Sequence, residues 1–265
     1  MKYFQTFIKY KYLLSNLIGR DIKVKYRRSI LGILWSVLNP LLMMLVLSAV
    51  FSALFGMGGR FGGLNVPFNI YYLTGATIYN FISEATSTSM MSVYSASQLI
   101  KKVYIPKYIF PLEKCLFSFV NMLFSLIAVF LVMIFSGVDF HLTMFLMPVP
   151  ILYALIFSIG MSFMLSALTV FFRDIIHLYG VFLTAWMYAT PIIYPIGILE
   201  SRPKLMFLMK FNPMFHYVEY FRSVTIYGAI PNLKDNLICL AFSFGMLIIG
   251  VLIFKNRQDK FVLYM

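Results

Sequence analysis

Charge is what this sequence has least of: 12% of its 265 residues are charged and 61% are hydrophobic, with only nine carboxylates. Soluble domains carry about 25% charge and about 45–50% apolar residues, so an ordinary soluble core is excluded. Glycine is nowhere followed by lysine. That removes the Walker loop, whose glycine-rich turn must end in Lys and Ser or Thr to cradle a phosphate. ATP hydrolysis by this chain alone is therefore not expected. A Gly-x-Ser-x-Gly nucleophile elbow is missing too. The three histidines, His141, His177 and His216, fall on separate connections, and Cys115 and Cys239 sit inside apolar segments. No clustered ligand set for a metal and no disulfide framework follow from them. Nor is a cleavable signal expected, because the first apolar run, Ile30 to Leu54, is too long and ends on no small-residue cleavage site.

What is present are unbroken apolar runs of about 20 residues, the length that crosses a hydrocarbon layer of about 30 Å. Backbone in lipid must satisfy its own hydrogen bonds, and long runs without strand-like alternation favour helices over a barrel. The sequence predicts an all-α integral membrane protein with six spans: Leu31–Phe55, Pro67–Val93, Tyr108–Phe135, Leu142–Phe171, Ile175–Tyr194 and Leu237–Phe254. Residues 1–30 read as an amphipathic helix in the interface, with Tyr10, Leu13, Leu14, Leu17 and Ile18 at helical spacing. Residues 31–254 form the membrane domain and 255–265 a short tail.

The net charge of +13 does not point to nucleic acid, because the basic residues gather beside the spans. Lys2, Lys9, Lys11, Arg20, Lys23, Lys25, Arg27 and Arg28 precede the first span; Lys101, Lys102, Lys107, Arg173, Lys255, Arg257 and Lys260 follow on alternate connections and the tail. Arg60, Asp139 and His141 occupy the opposite connections. The positive-inside rule puts both termini in the cytoplasm, a parity that an even number of spans satisfies. The stretch from Tyr194 to Asn236, broken by Pro195, Gly197, Pro203, Pro213, Gly228 and Pro231 yet still apolar, predicts two short re-entrant helices on the outer side.

Seven short blocks resemble the permease subunits of ABC-2 type exporters, in the branch of Wzm, KpsM and TagG. They run from Arg20-Asp21-Ile22-Lys23-Val24-Lys25-Tyr26-Arg27-Arg28 through Leu31-Gly32-Ile33-Leu34-Trp35 to Asn39-Pro40-Leu41. They continue at Lys101-Lys102-Val103-Tyr104-Ile105-Pro106, Val170-Phe171-Phe172-Arg173-Asp174-Ile175, Ala189-Thr190-Pro191-Ile192-Ile193-Tyr194-Pro195 and Asn212-Pro213-Met214. The resemblance implies a half-transporter in the cytoplasmic membrane of a bacterium. It pairs with a second copy of itself and with two ATPase subunits, which hold the ATP and Mg, and it moves a lipid-linked glycan. A coupling helix is implied at Ser97 to Lys107, with Lys101, Lys102 and Tyr104 as ATPase contacts; the same lysines also satisfy the positive-inside rule.

Arg173 and Asp174 are expected at a span end, mutually compensated, with a second ATPase contact through Arg173. Sugars pair hydroxyls with apolar ring faces, so Tyr72, Tyr79, Trp186 and Tyr188 are candidates for a substrate path. Asn80 and Glu84 on the polar stripe of the second span join them, since a carboxylate facing lipid is expensive. Tyr71 and Tyr194 fit an interfacial aromatic belt better than the path. Lys25, Arg27 and Arg28 are placed to attract the pyrophosphate of a lipid-linked substrate, or to set orientation alone. Glu219 and Arg222, three apart, are expected to pair in an outer gate. The alternatives are an ABC-2 permease for drugs or lipids, and a membrane enzyme acting on polyprenyl-linked sugars. The latter would need acidic clusters that nine scattered carboxylates do not supply.

Overall fold

The structure, a computed structural model, describes residues 2–27, 29–55, 66–197 and 202–264, so Arg28 and Arg60 lie outside the described residues. Those residues form helices joined by turns, and no strand occurs among them. The helices are α1 (Lys2–Lys25), α2 (Trp35–Phe55), α3 (Phe68–Met90), α4 (Ser92–Ser95), α5 (Ser97–Lys102), α6 (Ile109–Ser136) and α7 (Pro148–Phe171). They continue with α8 (Ile175–Ala189), α9 (Pro203–Met209), α10 (Pro213–Thr225), α11 (Leu233–Arg257) and α12 (Phe261–Tyr264).

Four segments are long and apolar enough to cross a membrane: Gly32–Val50, Ile109–Ser136, Leu142–Phe171 and Leu233–Lys260. Two of the six expected spans differ from these. α3 has the length, at 23 residues, but its threonines and serines lower its apolarity. α8 has 15 residues, about 22 Å at a rise of about 1.5 Å per residue, and stops where Pro191 follows Thr190.

The polar helix is also the central one. α3 packs against α6, α7, α10, α2 and α8, and Ile70, Ile78, Ile82, Ala85, Thr74, Thr86 and Ser89 are fully buried in it. Its hydroxyls are satisfied locally: Thr77 bonds to the Leu73 carbonyl at 2.7 Å, Thr86 to Ile82 at 2.6 Å and Ser89 to Ala85 at 2.6 Å. Back-bonding of this kind lets Ser and Thr sit inside a dry helix bundle. Pro40, inside α2, cannot donate to the Ser36 carbonyl, and the Ser125 hydroxyl of α6 supplies that bond at 3.1 Å. α7 and α11 approach most closely at Gly160 and Gly250, where a Cβ on Gly250 would fall 1.9 Å from the Gly160 oxygen. Both cysteines are buried and free.

One end of the bundle gathers segments remote in sequence. Leu14 and Leu17 of α1 bury against Ile105, Ile109 and Phe110, so the apolar face of α1 is covered by protein. Phe261 of α12 is buried with Val93, Phe163, Val170 and Phe254, and the Lys107 ammonium donates to the Gln258 carbonyl at 2.6 Å. The chain beyond Lys255 is thus a continuation of α11 followed by a docked helix. At the other end, Thr143 bonds to the Val224 carbonyl at 2.9 Å. The expected pair of short helices between the fifth and sixth segments is present as α9 and α10.

Candidate functional site

The polar side chains collect in three places. The first joins the end of α1 to α2, α3 and α6. Lys25 Nζ lies 2.7 Å from Glu84 Oε1, and Asn121 Nδ2 donates to both Glu84 oxygens at 3.2 and 3.0 Å. Asn121 Oδ1 in turn accepts from Tyr26 and Ser36, each at 2.8 Å, and those two hydroxyls also bond to each other. The Lys25 ammonium stands 5.4 Å from the Phe117 ring centroid. Lys25 and Glu84, assigned from sequence to different roles, are therefore partners. Arg27 is exposed.

Beside this junction, Asp21 accepts from Arg20 at 2.9 Å and pairs with Lys114 of α6. Burial works to raise the Asp21 pKa, but the hydrogen bonds from Lys114 and Arg20 outweigh it and hold the carboxyl below its ordinary value. Glu113 next to it is buried, with Oε1 lacking a hydrogen-bond partner among the described residues.

The second place is the end of the bundle that carries α1 and α12. Lys101 and Lys102 close α5 and are exposed, as are Val103 and Tyr104, the latter at 89%. The Tyr104 carbonyl accepts from Tyr10 at 3.2 Å. Arg173 does not pair with Asp174, and no ion pair joins them among the described residues. Its guanidinium instead lies 4.4 Å above the Tyr94 ring of α4, a stacking that reaches across to the neighbouring connection where Asp174, the cap residue of α8, cannot. The connections after α3 and after α7 therefore meet, and the docked α12 adjoins them through Phe171, 4.7 Å from Tyr264.

The third place is at the opposite end of α3. Arg222 is fully buried, donates to the Pro191 carbonyl at 2.7 Å, the Tyr71 carbonyl at 3.0 Å and Glu219 at 2.8 Å, and stacks 3.6 Å from the Tyr71 ring. Gly75 makes room for it, since a Cβ there would meet Nη2 at 2.7 Å. Burial pushes the neighbouring Tyr227 hydroxyl up to about 12. Asn212 caps α10, accepting from the Met214 and Phe215 amides, and also binds Trp186 Nε1 at 2.7 Å and Thr190 Oγ1 at 3.1 Å. Asn before Pro at a helix start is the favoured cap pairing.

The six path candidates divide. Tyr72, Tyr79 and Trp186 are buried within the chain, with Tyr79 donating to the Leu183 carbonyl at 2.8 Å. Asn80 and Tyr188 are exposed and Glu84 is half-buried. Reasoning from the sequence missed Asn121 and Lys114, and left Asn212, quoted only within a resemblance block, without a role. Lone polar residues inside apolar runs were the available signal, because such groups need partners. No group of three or more His, Cys, Asp or Glu able to hold a metal occurs among the described residues.

The family model for ABC-2 type transporters matches residues 12–226. The chain is 27% identical over 256 residues to the O-antigen export system permease protein RfbA of Myxococcus xanthus, covering 96% of this chain and 95% of that protein. It is 24% identical over 251 residues to RfbA of Klebsiella pneumoniae, with 94% and 93% covered. It is 22% identical over 253 residues to the polysialic acid transport protein KpsM of Escherichia coli, with 94% and 95% covered.

Proposed function

The chain belongs to the ABC-2 type transporter family, and from that premise we propose that it is the permease subunit of an exporter moving a lipid-linked polysaccharide across the cytoplasmic membrane. The observation that carries the reading is the end-to-end similarity to permeases of O-antigen and polysialic acid export. Energy comes from two separate ATPase subunits that hold ATP and Mg, since this sequence has no Walker loop. Two copies of the chain form the conduit. In this reading α2, α3, α6, α7, α8 and α11 are its six spans, α9 and α10 re-enter from the outer side, and both termini face the cytoplasm. The packing of α1 and of α12 at the same end of the bundle, each in a cluster that includes Ile100, Tyr108 and Leu112, supports that parity.

The exposed run Lys101, Lys102, Val103 and Tyr104, with Arg173 and Asp174 alongside, is the surface on which the ATPase docks. Its basic and apolar character suits a groove with acidic and apolar walls. Asn80, Glu84 and Tyr188 meet the substrate path, with Tyr72, Tyr79 and Trp186 forming the packed wall behind. Arg27, with Arg28, attracts the pyrophosphate of the substrate at the membrane surface, and the pair Glu219 and Arg222 sets the outer gate.

The test is genetic. In cells lacking this chain, surface polysaccharide should disappear and lipid-linked glycan should accumulate inside; restoring the chain should reverse both. Surface polysaccharide unchanged by the deletion would overturn the proposal.

A further inference from the structure

Two cavities share one side chain. The first, about 600 Å³, follows the polar side of α1 beside Asn16, Gly19, Arg20, Lys23 and Arg27. The second, about 610 Å³, lies between the end of α1, the turn at Gly32–Leu34 and α6, walled by Leu31, Ile33, Leu34, Phe124 and Ile127. Lys23 lines both. Gly32 shapes the turn with φ of +50°, a conformation L side chains rarely adopt.

The charges around these cavities are not equivalent. Arg20 is taken by Asp21 at 2.9 Å and Lys25 by Glu84 at 2.7 Å. Lys23 and Arg27 are exposed and have no carboxylate partner among the described residues. Lys23 therefore stands at the border of a basic cavity and an apolar one. Sugar hydroxyls entering the apolar crevice would lose hydrogen bonds at a cost, whereas a hydrocarbon chain would lose nothing. The basic side calls for an anion. The ligand chemistry that satisfies both halves is an anionic amphiphile.

We infer that the two cavities form a seat for one phosphate-bearing lipid of the bilayer, with its headgroup on Lys23 and Arg27 and a hydrocarbon chain in the crevice between the Gly32–Leu34 turn and α6. The inference deepens the proposed headgroup role of Arg27, transfers the partner role from Lys25 to Lys23, and rests on the proposed place of Arg27 at the membrane surface. Cations at an anionic surface are worth about fivefold in binding each.

Trp35 lies in the chain between Leu34 and Val37, both of the crevice wall, and is 42% exposed, while the other tryptophan, Trp186, is buried and hydrogen-bonded. Trp35 is thus a local reporter over a constant background. The full-length chain is reconstituted in phosphatidylcholine vesicles containing equal mole fractions of either bromine-labelled phosphatidylglycerol or bromine-labelled phosphatidylcholine. The phosphatidylglycerol should quench Trp35 more strongly. Lys23→Gln and Arg27→Gln should each cut that preference about fivefold, and the double variant should abolish it. Added inorganic pyrophosphate should leave the quenching in place. Equal quenching by the two lipids, a preference unchanged in the double variant, or full recovery of emission with pyrophosphate, which would mean an anion site without a chain seat, each overturns the inference. No lipid preference in the unsubstituted chain, with its polysaccharide export intact, removes this seat and leaves the transport reading standing; a lipid preference in a chain whose deletion leaves surface polysaccharide unchanged removes the transport reading alone.

Discussion

Arg222→Met keeps the bulk of a long side chain and removes every polar contact of the buried guanidinium. Three hydrogen bonds are lost, to Pro191, Tyr71 and Glu219 at 2.7, 3.0 and 2.8 Å. Hydrogen bonds between membrane helices average about 0.6 kcal/mol and reach about 1.7, so three contribute about 2–5 kcal/mol. Stacking on Tyr71 at 3.6 Å adds up to about 2 kcal/mol in a desolvated setting. Against this stands Nε, buried without an acceptor among the described residues, which costs about 1–3 kcal/mol. The balance is a loss of about 3 kcal/mol on substitution. It should be measured as a lowered unfolding free energy in a detergent-denaturant titration in mixed micelles. Trp186 is the reporter, since Asn212 and Thr190 tie it to the same turn. Arg222→Lys should recover less than half, because one ammonium cannot serve the Pro191 and Tyr71 carbonyls as a fork does. Gly75→Ala, whose Cβ would lie 2.7 Å from Nη2, should destabilise in the same sense. An Arg222→Met chain as stable as the wild type would refute the claim that this residue fastens α10 to α3.

Glu84→Leu should impair export with expression intact, because it frees Lys25 and Asn121 together; normal export would take Glu84 off the path. Joint replacement of Lys101, Lys102 and Tyr104, all exposed, should reduce co-purification of the ATPase while the chain stays folded, and undiminished co-purification would remove them from the docking surface. Asp21 has a folded pKa below its unfolded value. Its contribution is therefore fully present above about pH 3.9 and lost as pH falls through the folded pKa. Hydrogen exchange of α1 amides, corrected for intrinsic rates, should rise on that acid limb. Asp21→Asn should flatten the limb and weaken protection at neutral pH.

Much of the fold is legible because lipid leaves few options: apolar runs place α2, α6, α7 and α11 within a few residues of their observed bounds. α3 shows where the reading stops. Its Ser and Thr residues suggest a wet face, yet Thr74, Thr86 and Ser89 are fully buried and bond to the preceding turn. A hydroxyl that back-bonds looks the same in sequence as one that meets water. Partnership across the fold was equally hidden. Lys25 reads as a surface cation until Glu84, 59 residues on, is found to hold it, and Asp174 reads as the partner of Arg173 until Tyr94 takes that place.

Two of the blocks that carry the family resemblance nonetheless bond to each other, Asn212 to Thr190, while Pro191 of the same block accepts from Arg222. Two of these attachments hold α3 itself. Arg222 grips the helix at Tyr71 and Lys25 grips it at Glu84, 13 residues apart in sequence, or about 20 Å along the axis. A helix pinned at both ends by buried or half-buried charge moves freely only when a pin opens. Any cycle that shifts α3 relative to α1 or α10 must therefore break the Lys25 pair or the Arg222 node. The Lys25 pair is the weaker of the two, being partly exposed where Arg222 is fully buried, so the end of α3 near α1 should yield first.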